Sequence, residues 1–212
     1  MVAPQDVSLA ARAVLNAASF TPAVAPGSLA AIFGSGLART GAATVVEIGG
    51  LPARVIAATP FQVNVQVPPE QSPGPQRLVL KSPYGQAEQT VELQETAPAI
   101  FLVGEDRAAI LNQDGKLNGP TNPAPRGQTV VIYATGLGRV SPVGGLSWAV
   151  APVTIRLQGM DLPAAFAGLA PGFPGLYQVN VALPAELPPG LEVPLALVQA
   201  GGPSNPVPVS IQ

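Results

Sequence analysis

The stretch Phe61-Gln-Val-Asn-Val-Gln-Val-Pro68 decides the fold, because it returns in the second half of the chain as Tyr177-Gln-Val-Asn-Val-Ala-Leu-Pro184. Polar and apolar residues alternate in both copies, which is typical of a strand with one buried face. A Pro-Gly turn follows each copy, at Pro73-Gly74 and at Pro189-Gly190. The repetition indicates that the chain is an internal duplication and that each half is built around the same strand.

Further short strands flank both copies and also occur in pairs. Ser28–Phe33 aligns with Gln128–Tyr133, and Val45–Gly50 aligns with Val153–Gly159. Each half holds about six or seven such strands, separated by turn residues at intervals of about 8–12 residues, as in an immunoglobulin-like sandwich. We therefore predict an all-β protein made of two tandem immunoglobulin-like β-sandwich domains that arose by internal duplication.

The predicted organisation has three parts: an N-terminal lead-in segment, 1–18; a first sandwich, 19–97; and a second sandwich that begins with a hairpin, 98–212. The lead-in contains Val7–Leu15, the only stretch with some helical character. We expect it to pack on the first domain, and an arm that docks on another module is the alternative. Asp114-Gly115 between apolar residues predicts the hairpin.

Composition excludes several classes of function. Charged residues make up 10% of the chain and the net charge is −2, against about 25% charged residues in typical domains. Without a clustered basic patch we expect no binding of nucleic acid. No apolar run reaches the roughly 20 residues of a spanning helix, so we expect no membrane span. The first residues do not resemble a signal peptide.

The chain contains neither cysteine nor histidine, which removes most familiar catalytic and metal chemistry. A Ser-His-Asp or Cys-His nucleophile pair needs one of these residues, and so do most zinc, copper and haem sites. The carboxylate groupings Glu105-Asp106 with Asp114, and Glu92 with Glu95, are more typical of solvated turns and edges than of a glycosidase. We therefore expect that the protein is not an enzyme.

Three aromatic residues are candidates for ligand contact, since exposed aromatic rings serve as stacking platforms for sugars. They are Trp148, which follows a Gly-Gly turn; Tyr84, at a turn tip; and Phe173, in the loop before the second copy of the repeated strand. Single exposed aromatic residues are common, so each also has a plain structural explanation. The aromatic residues that align between the halves are predicted to pack in the cores: Phe33 with Tyr133, and Phe61 with Tyr177.

Amide and carboxylate oxygens suggest one metal site and two structural anchors. Asn112, Asp114 and Asn118 have the oxygen donors that calcium prefers, although their spacing lacks the calcium-loop pattern and a hairpin alone explains Asp114. No other cofactor is expected. Asn64 and Asn180 lie within apolar strands, so we predict that each is buried and ties its strand to a neighbouring loop.

Several longer phrases stand out, among them Leu15–Pro22, Ile32–Leu37, Ala97–Phe101, Ala109–Gly115, Asn122–Gly127, Tyr133–Gly138 and Leu169–Asn180. They resemble a C-terminal domain family of large extracellular proteins, best known from Solibacter and other acidobacteria. The likeness covers nearly the whole chain, although Pro142–Trp148 is shorter than the corresponding loop. It implies an extracellular or cell-surface location and this architecture, and it transfers no catalytic residue. Each half is also loosely similar to an IPT/TIG immunoglobulin-like domain.

Three hypotheses for function follow from the sequence. The first is a non-enzymatic structural, adhesion or attachment module, whose partners are other domains of a larger secreted protein or components of the cell surface. The second is a carbohydrate-binding module that holds a glycan with its loop aromatics. The third is a homo-oligomer, a self-assembling surface or fibre subunit joined through sheet edges or the N-terminal arm.

Overall fold

The computed structural model describes residues 6–104 and 106–212. Within these residues the secondary structure consists of strands and turns, without a helix. The chain divides into two compact units, Met1–Glu95 and Thr96–Gln212. No segment of the described residues forms a helix long and apolar enough to span a membrane.

The described residues of the first unit form seven strands in two sheets. Strands β1, β2, β5 and β4 are neighbours in one sheet, and β4 continues into the second sheet, where the order is β4, β3, β6 and β7. All these pairings are antiparallel. The strands are β1 (Ser8–Asn16), β2 (Leu29–Ser35), β3 (Val45–Ile48), β4 (Leu51–Ala58), β5 (Gln62–Gln66), β6 (Gly74–Ser82) and β7 (Gly85–Leu93).

The second unit repeats this arrangement with more, shorter strands. One sheet contains β8, β11, β12, β18, β17, β14 and β13, the other contains β16, β15, β19, β20 and β21, and β9 pairs with β10. The strands are β8 (Ala99–Ile100), β9 (Leu102–Val103), β10 (Arg107–Ala108), β11 (Ile110–Leu111), β12 (Thr129–Thr135), β13 (Val140–Val143), β14 (Leu146–Ala149), β15 (Thr154–Leu157), β16 (Met160–Pro163), β17 (Phe166–Leu169), β18 (Tyr177–Ala182), β19 (Gly190–Gln199), β20 (Gly202–Pro203) and β21 (Val207–Ile211).

Strand order identifies both units as immunoglobulin-like sandwiches. In the first unit the first, second, fifth and fourth strands form one sheet and the third, sixth and seventh form the other, as in immunoglobulin domains. The second unit places β12, β18 and β17 like β2, β5 and β4, and β15, β19 and β21 like β3, β6 and β7. The prediction of an all-β chain with two tandem immunoglobulin-like domains is therefore confirmed.

The duplication extends to the pairing register. Ile32 lies opposite Val63 in the first unit, and Ile132 lies opposite Val179 in the second. All four side chains belong to the buried core of their own unit. In the first unit a parallel bridge joins the segment before β2 to the end of β7, between residues 24 and 93. The second unit has a matching bridge from the segment before β12 to the end of β21, between residues 124 and 211.

The lead-in segment differs from the prediction, because Val7–Leu15 is not helical. Residues 8–16 form β1, which pairs with β2 and places Val14 opposite Ile32. Helix propensity is a weak preference that tertiary pairing overrides. A bulge between Leu9 and Val14 interrupts the ladder, and Gln89 of β7 bridges it: its Oε1 accepts from Ala13 N at 3.0 Å, and its Nε2 donates to the residue 10 carbonyl at 3.0 Å.

A glycine allows the start of the second unit to lie close to the end of β12. Gly136 has φ +82°, and a Cβ at this position would lie 1.9 Å from the Ala97 carbonyl oxygen. The Ala97 N–H donates to the Gly136 carbonyl at 2.8 Å. Since neither the φ value nor the space suits a side chain, glycine is required at this crossing.

Candidate functional site

A line of four residues crosses the outer face of one sheet in the second unit. Tyr133 lies opposite Gln178, Gln178 opposite Gly168, and Gly168 opposite Trp148. Residues that lie opposite each other share a face of the sheet. Their sequence neighbours point into the core, Ile132 among them, so these four point away from it. We call them the outer row.

The outer row places aromatic side chains at both ends with an amide between them. Tyr133 and Trp148 are separated by three inter-strand steps, which corresponds to about 14 Å. Both aromatic residues are half-buried. Gln178 is the polar side chain between them.

Gly168 allows the Trp148 end of the outer row to pack tightly. A Cβ at Gly168 would lie 2.1 Å from the Ser147 carbonyl oxygen and 2.9 Å from Cζ of Phe166. The indole of Trp148 packs edge-on against the Phe166 ring, with centroids 4.8 Å apart and an interplanar angle of 75°. This geometry is typical of favourable aromatic pairs, so the indole is held in place.

An apolar pocket of about 510 Å³ opens at the Tyr133 end of the outer row. Its volume is within the range of small-molecule sites. The main lining side chains are Phe101, Leu102, Val103, Tyr133, Phe173 and Gln178. The described residues that line it are uncharged, which favours a neutral ligand with apolar surface.

Phe173 lies at the rim of this pocket on a well-fixed loop. Phe173 is 63% exposed. Its N–H donates to the Ala170 carbonyl at 3.1 Å, and its carbonyl accepts from Leu176 N at 3.2 Å. The hydroxyl of Thr135, on β12, donates to the Gly175 carbonyl at 2.9 Å. The loop backbone is therefore held while the ring stays accessible.

The repeated strand contributes an amide pair to the same face. Gln178 Nε2 donates to Asn180 Oδ1 at 2.9 Å, and in the first unit Gln62 Nε2 donates to Asn64 Oδ1 at 2.7 Å. Asn64 and Asn180 are half-buried. The predicted buried anchors to a neighbouring loop are thus wrong, since each asparagine bonds to a glutamine two residues earlier in its own strand. One hydrogen bond leaves further donor and acceptor capacity in these amides.

Of the three predicted ligand-contact residues, the structure places Trp148 and Phe173 around one sheet face. Trp148 ends the outer row, and Phe173 lines the pocket at its other end. Tyr84 is elsewhere: it is half-buried at the turn between β6 and β7 of the first unit.

The aromatic residues predicted to pack in the cores do not behave alike. Tyr177 is 1% exposed, its hydroxyl donates to the Gly138 carbonyl, and burial raises the pKa of its phenol. Tyr133 and Phe33, by contrast, are half-buried on outer faces, and Phe61 is 61% exposed. The prediction is wrong for these three. Because side chains alternate between the two faces of a strand, Tyr133 faces outward where Ile132 and Ala134 face the core.

The predicted calcium ligands are engaged in protein hydrogen bonds. Asn118 Nδ2 donates to Asn112 Oδ1 at 2.8 Å and to the Ser210 carbonyl at 2.9 Å, while Asn118 Oδ1 accepts from Ser210 N at 2.8 Å. Asn112 and Asn118 are each 4% exposed. Asp114 lies apart at the exposed hairpin turn, where its Oδ1 accepts from Lys116 N at 3.0 Å.

The acidic groupings noted in the sequence give no compact cluster in the described residues. No three or more aspartate or glutamate side chains there are placed to hold a metal ion. Asp106 and Glu92 are exposed. Glu105 lies outside the described residues.

No protein-family model matches the chain, and no curated protein matches its sequence. Several solved structures resemble it. They include the surface glycan-binding protein PbSGBP-B from Prevotella bryantii, 11% identical over 97% of this chain and 42% of that chain, with a TM-score of 0.34. Another is the Bacteroides ovatus mixed-linkage glucan utilization locus SGBP-B in complex with a mixed-linkage heptasaccharide, 15% identical over 100% of this chain and 47% of that chain, with a TM-score of 0.42.

A tandem of titin immunoglobulin domains is also similar, at 14% identity over 90% of this chain and 91% of that chain, with a TM-score of 0.28. The chain spans less than half the length of the two glycan-binding proteins. At these identities and TM-scores the likenesses carry no weight for ligand or activity. The immunoglobulin-like topology rests on strand order and register.

Proposed function

We propose that this protein is a non-enzymatic carbohydrate-binding module that attaches a larger extracellular protein to glycans. The observation that carries the proposal is the outer row, with Tyr133 and Trp148 at its ends, Gln178 between them, and the apolar pocket rimmed by Phe173 beside it. The proposal combines the attachment and carbohydrate-binding hypotheses that the sequence raised.

The chemistry of the face suits a neutral oligosaccharide. Pyranose rings present C–H faces that pack on aromatic rings and hydroxyl groups that bond to amides. Phe173 and Tyr133 supply the first kind of contact, and the Gln178–Asn180 pair supplies the second. A cleft with predominantly apolar walls and a few placed polar groups is the usual form of a ligand site.

The row length sets the expected size of the ligand. Two aromatic residues about 14 Å apart contact different sugar residues of one chain. A monosaccharide reaches only one end of the outer row, so affinity is expected to rise with oligosaccharide length. The held positions of Trp148 and Phe173 limit the ordering cost on binding.

Isothermal titration calorimetry on the full chain tests the proposal, after a glycan array has selected a ligand. Neutral oligosaccharides of increasing length are suitable first ligands, because the described residues that line the pocket are uncharged. Phe173→Ala is expected to weaken binding by about tenfold or more, as loss of an aromatic anchor does in other interfaces. Trp148→Ala is expected to weaken the longer ligands most.

Leu191→Ala is the matched control, because Leu191 is 61% exposed and lies on β19 of the other sheet. It is expected to leave binding unchanged. If no glycan binds at millimolar concentration, or if Leu191→Ala weakens binding as much as Phe173→Ala, the carbohydrate proposal is wrong. A purely structural or adhesive spacer then becomes the better hypothesis.

Self-assembly through the N-terminal arm receives less support from the contacts. Residues 8–16 of that arm pair with β2 of their own chain, and Gln89 bridges the bulge. An arm in this arrangement must detach before it can complete a neighbouring sheet. Sedimentation over a range of concentrations, with and without residues 1–18, distinguishes this alternative.

A further inference from the structure

The outer face of the first unit carries the same aromatic and amide positions as the outer row. Phe33 lies opposite Gln62, as Tyr133 lies opposite Gln178. Gln62 donates to Asn64 as Gln178 donates to Asn180. Ile32, the neighbour of Phe33, belongs to the buried core, so the half-buried Phe33 ring faces outward. The duplication has therefore retained the chemistry of the face as well as the strand.

A second aromatic ring extends this face from an unusual backbone position. Phe20 packs on Phe33 with ring centroids 6.4 Å apart and an interplanar angle of 49°, and its side chain is 57% exposed. Its φ is +54°, a left-handed value that is uncommon for a bulky residue. Folding by itself gains little from an exposed ring in a strained conformation.

The surrounding turn holds Phe20 in this conformation. The Phe20 N–H donates to the Asn16 carbonyl at 2.9 Å, and Asn16 N donates to the Thr21 carbonyl at 2.8 Å. The Asn16 side chain adds a bond from Ala18 N to its Oδ1 at 2.9 Å. Strain that is held in place by its surroundings and presents an exposed group is typical of functional sites.

We propose that Phe20, Phe33, Gln62 and Asn64 form a second carbohydrate subsite, in the first unit, for the same class of neutral oligosaccharide. The inference rests on the proposed function of the second unit. The Phe20–Phe33 pair offers a platform for one sugar residue, and the Gln62–Asn64 amides bond its hydroxyls. Residue 57, opposite Asn64 in β4, is alanine, whereas Phe166 lies opposite Asn180. With less aromatic surface, the subsite binds about tenfold more weakly than the second unit.

Phe20→Gly is the decisive variant. Glycine adopts φ +54° without strain, so the variant is expected to keep or raise the melting temperature while removing the platform. Calorimetry with a short oligosaccharide is expected to count two sites on the full chain, one strong and one weak. Phe20→Gly removes the weak site, Phe173→Ala removes the strong one, and the double variant binds nothing.

Tyr84→Ala is the control in the same unit, because Tyr84 lies at the hairpin turn of the other sheet, and it is expected to keep both sites. If Phe20→Gly leaves two sites, or if Tyr84→Ala removes the weak site, the inference is wrong while the proposed function stands. If the wild-type chain binds no glycan, both fall. If Phe20→Gly instead changes self-association in sedimentation, the face is an interface between copies and the subsite is refuted.

Discussion

Replacing Asn118 by alanine is expected to destabilise the second unit by about 3 kcal/mol. The Asn118 amide makes three hydrogen bonds in a buried setting: two with the backbone of Ser210 and one with Asn112 Oδ1. Asn118 and Ser210 are 92 residues apart in sequence, so the amide ties the N-terminal hairpin of the unit to its last strand. Alanine removes all three bonds at once.

The magnitude follows from the groups left behind. Ser210 is 1% exposed and Asn112 is 4% exposed, so the Ser210 N–H and carbonyl and the Asn112 Oδ1 lose their partner away from bulk solvent. An unsatisfied buried polar group costs about 1–3 kcal/mol. A water molecule that enters the vacated space recovers part of this cost. The expected loss of about 3 kcal/mol therefore lies near the lower limit of the summed cost of the three unsatisfied groups.

Guanidinium unfolding followed by tryptophan fluorescence measures this loss in the correct unit, because Trp148 is the only tryptophan of the chain and lies in the second unit. With a slope on the order of 4 kcal/mol/M, a loss of 3 kcal/mol lowers the midpoint by roughly 0.75 M. Asn118→Asp keeps the size and the acceptor for Ser210 N–H, but directs a negative charge at two acceptors. It is expected to destabilise at least as much as alanine.

Asn180→Ala is the matched control, since Asn180 is half-buried and its one side-chain bond is to Gln178 on the outer face. Its expected cost is about 0.5 kcal/mol or less. Equal losses for the two asparagines, or a loss below about 1 kcal/mol for Asn118→Ala, would show that the buried network is not structural. Calcium is expected to leave the wild-type midpoint unchanged, whereas a calcium-binding role for Asn118 predicts stabilisation that grows with its concentration.

Three further predictions concern the folding framework. Gly136→Ala is expected to lower the free energy of unfolding by about 3 kcal/mol, because the backbone must move to admit a Cβ. Gly144→Ala also has a positive φ but open space around it, and it is expected to lower the same free energy by about 1 kcal/mol. Thermal melting of the two variants compares these losses. Wild-type stability is expected to fall as pH rises above about 10. Burial raises the pKa of Tyr177, so the phenol of the unfolded chain ionises at a lower pH than that of the folded chain. Tyr177→Phe is expected to lessen the decline, which denaturation series across about pH 8–11 measure. Gln89→Ala is expected to speed amide hydrogen exchange in β1 but not in β5, because it removes the two hydrogen bonds that bridge the bulge of β1. Unchanged exchange in β1 would contradict this role of Gln89.

Fold class was predictable because its signals are local. Alternating polarity marked the strands, glycine and proline marked the turns, and repetition of the Gln-Val-Asn strand marked the duplication. The hairpin at Asp114-Gly115 was predictable for the same reason, and it forms with an antiparallel bridge between Leu111 and Leu117. Val7–Leu15 was mispredicted, because its residues tolerate helix and only the neighbouring strand β2 selects an extended conformation.

The candidate site was predictable in part. Phe173 and Trp148 stood out as aromatic residues beside glycine turns, and both lie around one sheet face. Tyr133 was predicted to lie in the core because the aligned residue, Phe33, is also aromatic. That prediction is wrong because β12 is apolar on both faces, and hydrophobicity alone does not distinguish its inner from its outer positions. Phe101 carried no signal of a ligand site, since it lines the pocket only when residues far apart in sequence come together.

By itself, the sequence determined most of the strands, their turns and the duplication. Strand and turn signals lie within a few positions of one another, and the duplication is a repeat of such signals. Tertiary structure decided which side of β12 faces solvent, which aromatic residues share the outer row, and where Asn118 finds its partners. Those outcomes depend on register between strands that are distant in the chain, and a shift of one residue exchanges the two faces of a strand. The repeated strand thus specifies the fold locally, while its pairing places the amides on the outer face of the sheet.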